Sequence, residues 1–219
     1  MSCKTAAITG QCLPILRCGT FRLPTVTCVP NQLPDLEVLA LFDARLRQVP
    51  RDPIALAAAA GLATRQLRQA RSVGDRDAEL RLRGYLGTAY RILGRWRAAS
   101  GHLRAAYSLA RAANSPAAEV VALIRLGEVD RCRDAFPSAE ACFREALAKC
   151  RADSRLGVYE DFALQHLGKC LLDMGCHAEA LSCLDAALHL RTAKGDAALI
   201  ASTEAALNLA RRSGPYATD

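Results

Sequence analysis

The sequence predicts an all-α fold, a chain of stacked antiparallel helix pairs forming an α-solenoid. Three observations predict it. First, Leu86-Gly87, Leu126-Gly127 and Leu167-Gly168 recur every 40 or 41 residues. Each glycine is followed twelve positions later by an alanine (Ala99, Ala139, Ala180), then by a bulky apolar residue (Leu103, Phe143, Leu184) and a second alanine (Ala106, Ala146, Ala187). Self-similarity with a period of roughly 20–50 residues marks a stacked repeat architecture. Second, 219 residues at 51% hydrophobic, dominated by Ala, Leu and Arg, suit one helical domain with a sizeable core. Third, no run alternates with period two long enough to argue a sheet.

The small residues have a packing reason. Two antiparallel helices approach closely only where side chains are small, so glycine on the first helix and alanines on the second let bulky neighbours fill the space between. One such pair has too little apolar surface to stand alone, whereas stacked pairs share a core.

The elements follow in order. Residues 1–33 carry Pro14, Pro24, Pro30, four cysteines and no acidic residue, with Lys4, Arg17 and Arg22 giving a small positive excess. The apolar stretches there are short and broken, a poor secretory signal, and the prolines would break an amphipathic helix, so a disordered tail is expected. Residues 34–214 are expected to form the helical domain, and 215–219 a short tail. Within it, 35–74 reads as a divergent repeat or cap. Its first helix is expected to be capped by Asp35 and to run to about Gln48, and its second to open at Asp52-Pro53 and end at Gly74. The repeats proper occupy 77–113, 116–153 and 157–194, with turns near Gly94, Asp134 and Gly175 and a Ser115-Pro116 start signal. Gly195-Asp196 ends one helix and caps the next, a lone capping helix over 196–213 that stops at Gly214-Pro215.

These residues resemble the tetratricopeptide repeat family, in a long-period form. The unit from Arg81 to Ala113 carries Leu86, Gly87, Tyr90, Gly94, Ala99, Leu103 and Ala106 at the family's positions. The second unit departs with Asp130 at the aromatic position and Asp134 at the turn glycine; the third has Leu171 at the aromatic position. The period exceeds the usual value of about 34 and is similar to the long-helix repeats of kinesin light chains and bacterial regulator sensor arms. The resemblance implies a right-handed superhelix whose first helices line a concave groove. Carried onto this chain, the groove residues are Arg81, Tyr85, Thr88 and Arg91, then Arg125, Glu128 and Arg131, then Gln165, His166 and Lys169, with Arg212 extending the row. Gly84 and Thr88 stand where the family's chaperone-tail clamp has Lys and Asn, which removes support for that specificity.

Basic residues dominate this row, and a charged groove with low-dielectric walls focuses potential, so an acidic peptide or a chain-terminal carboxylate is the expected ligand. The net charge of +7 raises nucleic acid, but basic residues are interleaved with acids and aromatics are only 5%, which argues against it. The longest apolar run, Ile54 to Ala63, is far short of a membrane span. No phosphate-cradling glycine loop, zinc-protease helix or nucleophile elbow occurs, so no catalysis and no cofactor are expected. Asp134, Glu140 and Asp161 are expected to be solvated, and His102, His166, His177 and His189 to be surface or groove residues. The ten cysteines lack zinc-type pairing. Cys170, Cys176, His177 and Cys183 form the densest group but straddle different helices, so structural thiols in a cytoplasmic setting are expected. The expected function is a non-enzymatic scaffold or adaptor that binds a protein segment. The alternatives are a sensor module of a transcriptional or signalling system, and a metal- or redox-responsive protein.

Overall fold

The helices begin and end where the chain carries its caps. In the computed structural model, which describes residues 32–213, Asp52 accepts hydrogen bonds from the backbone N–H groups of Ile54 and Ala55 at 3.0 and 2.9 Å. With Pro53 in the first turn it opens α1 (Pro53–Ser72). Asp75 caps α2 (Arg76–Ile92) in the same way, accepting from Ala78 N–H at 2.8 Å. There follow α3 (Trp96–Ala112), α4 (Pro116–Cys132) and α5 (Phe136–Ala152). A 3₁₀ turn over Ser154–Tyr159 leads into α6 (Glu160–Asp173), α7 (His177–Lys194) and α8 (Ala197–Ser213). Asp196 caps α8 through the N–H groups of Ala198 and Leu199. The expected tail at 1–33 lies almost wholly outside the described residues, as do the cysteines within it, Gly214-Pro215 and the tail at 215–219.

Every helix-to-helix turn except that from α5 to α6 passes through a left-handed residue. Gly94 and Gly175 take φ of 71° and 79°, while Asp134 takes the equivalent place at 61° and Asn114 adopts 48° between α3 and α4. Asn and Asp tolerate this region better than other side chains, so the missing glycine in the second unit costs the turn little.

The repeated small residues nest as their spacing predicts. A Cβ placed on Gly87 would run into the Leu103 side chain, one on Gly127 would lie 2.5–2.8 Å from the Phe143 ring, and one on Gly168 would lie 2.7 Å from Leu184. Ala99, Ala139 and Ala180 are fully buried beside them. Each helix packs on the next, and α2 also touches α4, α4 touches α6 and α6 touches α8. The even-numbered helices therefore form one continuous layer.

The first helix expected at 35–48 is absent. In its place, β1 (Ala40–Phe42) and β2 (Gln48–Pro50) form an antiparallel hairpin with Leu41 opposite Val49. Asp43 builds the turn: its carboxylate accepts from the N–H groups of Arg45 and Arg47 at 2.9 and 2.8 Å, and Leu46 N–H donates back to Asp43 O at 3.0 Å. Leu46 sits at φ 54°, the left-handed position that such a loop normally gives to glycine. The residues have adequate helix propensity. Tertiary contacts override it, because the hairpin turn brings Arg45 and Arg47 together onto carboxylates supplied by α6 and by the turn after α4. Leu36 and Ala40 anchor the segment in the core formed by α1 and α2.

Candidate functional site

The hairpin lies against the helices to which the resemblance assigns a groove. It rests near the C-terminal ends of α2, α4 and α6, and the contacts are mostly polar. Asp173, in the last turn of α6, and Asp134, in the turn after α4, are the acceptors. Arg45 reaches Asp134 at 3.2 Å and Asp173 at 3.1 Å; Arg47 reaches them at 2.6 and 3.5 Å. The Arg45 guanidinium also lies 5.8 Å from the centre of the Phe136 ring. Arg47 Nη1 donates to Cys132 O at 3.4 Å. A carboxylate at a helix C-terminus faces the negative end of the dipole, so it is favourable only with a cation beside it. Hydrogen bonding from Arg47 is the main reason the Asp134 carboxyl is held below its ordinary pKa.

Arg131 sits beneath the hairpin tip with its side chain fully buried. Its Nε donates to Glu128 at 2.9 Å and its Nη1 to Asp173 at 2.9 Å. The same guanidinium donates to the backbone carbonyls of Arg45 and Leu46, both at 3.3 Å. Burial alone would raise the Glu128 pKa; Arg131, with Lys169, overrides it and holds the carboxyl well below its ordinary range. His166 Nδ1 is 2.8 Å from Glu128 Oε1 without the alignment of a hydrogen bond, and its ring stacks on Phe143 at 5.8 Å. Burial pushes its pKa down to about 4, so the imidazole is neutral at pH 7.

The expected groove residues therefore divide. Arg91, Glu128, Arg131, His166 and Lys169 share this strip, but Arg91, Glu128, Arg131 and Lys169 are buried rather than lining an open channel. Arg91 donates to the Gln48 side chain in β2. Tyr85 donates to Pro34 O at 2.9 Å, so it too touches the segment before the hairpin. Thr88 bonds back to Gly84 O within α2. Gln165 is buried and donates to Ser202 of α8 at 2.9 Å. Arg81 and Arg125 line a crevice of about 60 Å³ between α2 and α4, room for a few waters. The Arg125 guanidinium lies directly over Gly84, which has no side chain to obstruct it. Arg212 is exposed at the far end of α8. The acidic-ligand expectation rests on arginines free to receive a carboxylate; Arg91 and Arg131 are instead buried and engaged within the chain.

Sequence reasoning missed Arg45, Leu46, Arg47 and Asp173, and read Asp134 and Asp161 as solvated. Asp134 is half exposed but ion-paired. Asp161 is fully buried, 2.8 Å from Arg191 and also paired with Lys194. One signal was available: Asp173 is an acid in the last turn of a helix, where an unpaired carboxylate is disfavoured.

Among the described cysteines, Cys132, Cys150 and Cys170 are buried and Cys142, Cys176 and Cys183 partly so. Burial raises the thiol pKa to about 11 in Cys142 and Cys150 and to about 12 in Cys170, which keeps them protonated at neutral pH. Among the described residues, no three His, Cys, Asp or Glu side chains converge as a metal ion would require, and no helix is long and apolar enough to cross a membrane. The chain matches no protein-family model and no curated protein.

Proposed function

We propose that this chain is a non-enzymatic interaction scaffold of the tetratricopeptide type, a right-handed superhelix that holds a segment of another protein on the layer formed by α2, α4, α6 and α8. The observation that carries this reading is that the layer already holds a segment of non-helical chain. Arg131 binds that segment through backbone carbonyls, a mode of recognition that does not depend on the side chains presented. The curvature has support in the direct contacts between successive even-numbered helices, as expected for helices on the inner, tighter side of a curved stack. The six described cysteines are unpaired thiols, which suits a reducing compartment such as the cytoplasm.

The test is capture with the purified full chain, identification of the retained protein, and cross-linking to locate it. The expected result is cross-links concentrated on α2, α4 and α6. Cross-links confined to α3, α5 and α7, or no retained protein, reject the reading.

A further inference from the structure

We infer that the surface made by Asp134, Asp173, Phe136 and Arg131 is a docking site for an arginine–apolar–arginine turn of a partner protein, and that the 40–50 hairpin is its resident, displaceable occupant. This deepens the scaffold reading and rests on it. The resident segment shows what the surface selects. Two guanidinium groups, Arg45 and Arg47, share two carboxylates. Arginine suits such shared acceptors because its planar fork offers several donors at once. Between them, Leu46 turns inward and packs on the apolar cluster of Leu184, Ala206 and Leu207. Arg131 fixes the turn by its carbonyls. The acceptors are carboxylates, so an arginine-bearing protein segment fits and a phosphate backbone is repelled.

Displacement follows from how little holds the hairpin. A two-stranded hairpin is not stable by itself and depends on what it rests against. Within 40–50 this one buries Ala40 and half-buries Leu46, while Leu41, Phe42 and Val49 remain 45%, 40% and 36% exposed. Its tip also carries strain, with a leucine in the left-handed region. Segments with few buried apolar contacts open locally at low cost.

The experiment uses the full chain and a fluorescent synthetic peptide corresponding to residues 34–51, read by anisotropy. The tethered hairpin competes at high effective concentration, so the unaltered chain is expected to bind the peptide weakly. A chain carrying Arg45→Ala and Arg47→Ala is expected to bind it at least about tenfold more tightly. Adding Asp134→Asn and Asp173→Asn to that chain is expected to abolish the gain, and a peptide with Arg45 and Arg47 changed to glutamate is expected not to bind. Equal binding by the unaltered and alanine chains, or equal binding of the charge-reversed peptide, overturns the inference. If the alanine chain does not fold, hydrogen exchange on the unaltered chain decides instead. Amides 44–49 are expected to exchange faster when the peptide is in large excess, and no change overturns the proposal. If these tests fail while a partner still cross-links to α2, α4 and α6, only the arginine-turn specificity falls. If no partner is retained at all, the scaffold reading falls with it.

Discussion

Helix α8 and the 40–50 hairpin are both held to the stack by a buried arginine that reaches backbone carbonyls. Arg191 does this at the C-terminal end. Its Nε donates to Asp161 at 2.8 Å, and its Nη1 to Leu199 O at 3.1 Å and the Thr203 hydroxyl at 2.9 Å. Arg131 does the same for Arg45 and Leu46, with Glu128 and Asp173 as its carboxylates. The difference lies in what accompanies the arginine. Helix α8 buries Leu199, Thr203, Ala206, Leu207 and Ala210 against its neighbours. The hairpin buries Ala40, half-buries Leu46 and turns Leu41, Phe42 and Val49 outward, with Leu36 buried just before it. Similar polar anchors thus secure a fixed cap at the C-terminal end and a less deeply packed segment across the ends of α2, α4 and α6, because apolar area, not the ion pair, supplies the net stabilisation.

The largest test of this contrast is Asp161→Ala. Removing the carboxylate leaves Arg191 buried without its charge partner, and the expected loss is about 3–5 kcal/mol in urea unfolding at unchanged slope. A loss under about 1 kcal/mol would mean that α8 is not locked by this pair. Next is Gly127→Leu, which probes the helix stack on which both elements rest. A side chain there collides with the Phe143 ring, and overpacking is expected to cost about 1–3 kcal/mol, seen as a lower melting temperature. A neutral result would mean that α4 and α5 are not held at glycine distance.

The double change Arg45→Ala, Arg47→Ala is expected to reduce global stability by about 0–1 kcal/mol, while amide exchange rises selectively over residues 44–49. A loss comparable with that of Asp161→Ala would erase the distinction between the two elements. The smallest effect is that of acid. The Asp134 carboxyl is held below its ordinary value of 3.8 chiefly by the hydrogen bond from Arg47. Its contribution is therefore complete above that value and disappears as pH falls through the lower, folded-state one. Amide shifts of Leu46 and Arg47 are expected to move toward unfolded values below about pH 4, with the α8 amides unchanged over the same range. Simultaneous loss of both sets would show that the hairpin has no independent opening.

The sequence by itself determined the helical stack, for a local reason. The glycine of each unit and the bulky residue it receives are sixteen positions apart, Gly127 and Phe143 for example, on two helices joined by a short turn. Caps such as Asp52-Pro53 and Gly195-Asp196 act within a few residues, so they too could be read directly. The tertiary structure alone decided the fate of residues 35–50 and of the charged side chains. Arg45 and Asp173 lie 128 positions apart, and nothing local announces that they meet. The helix-forming residues of the 35–48 segment gave way to a hairpin because docking its arginines on distant carboxylates outweighed a propensity worth only tenths of a kcal/mol, about 0–0.7 per residue. Arg131 read as a groove residue and Asp161 as a solvated one; neighbouring helices buried both, and only the fold chose their partners.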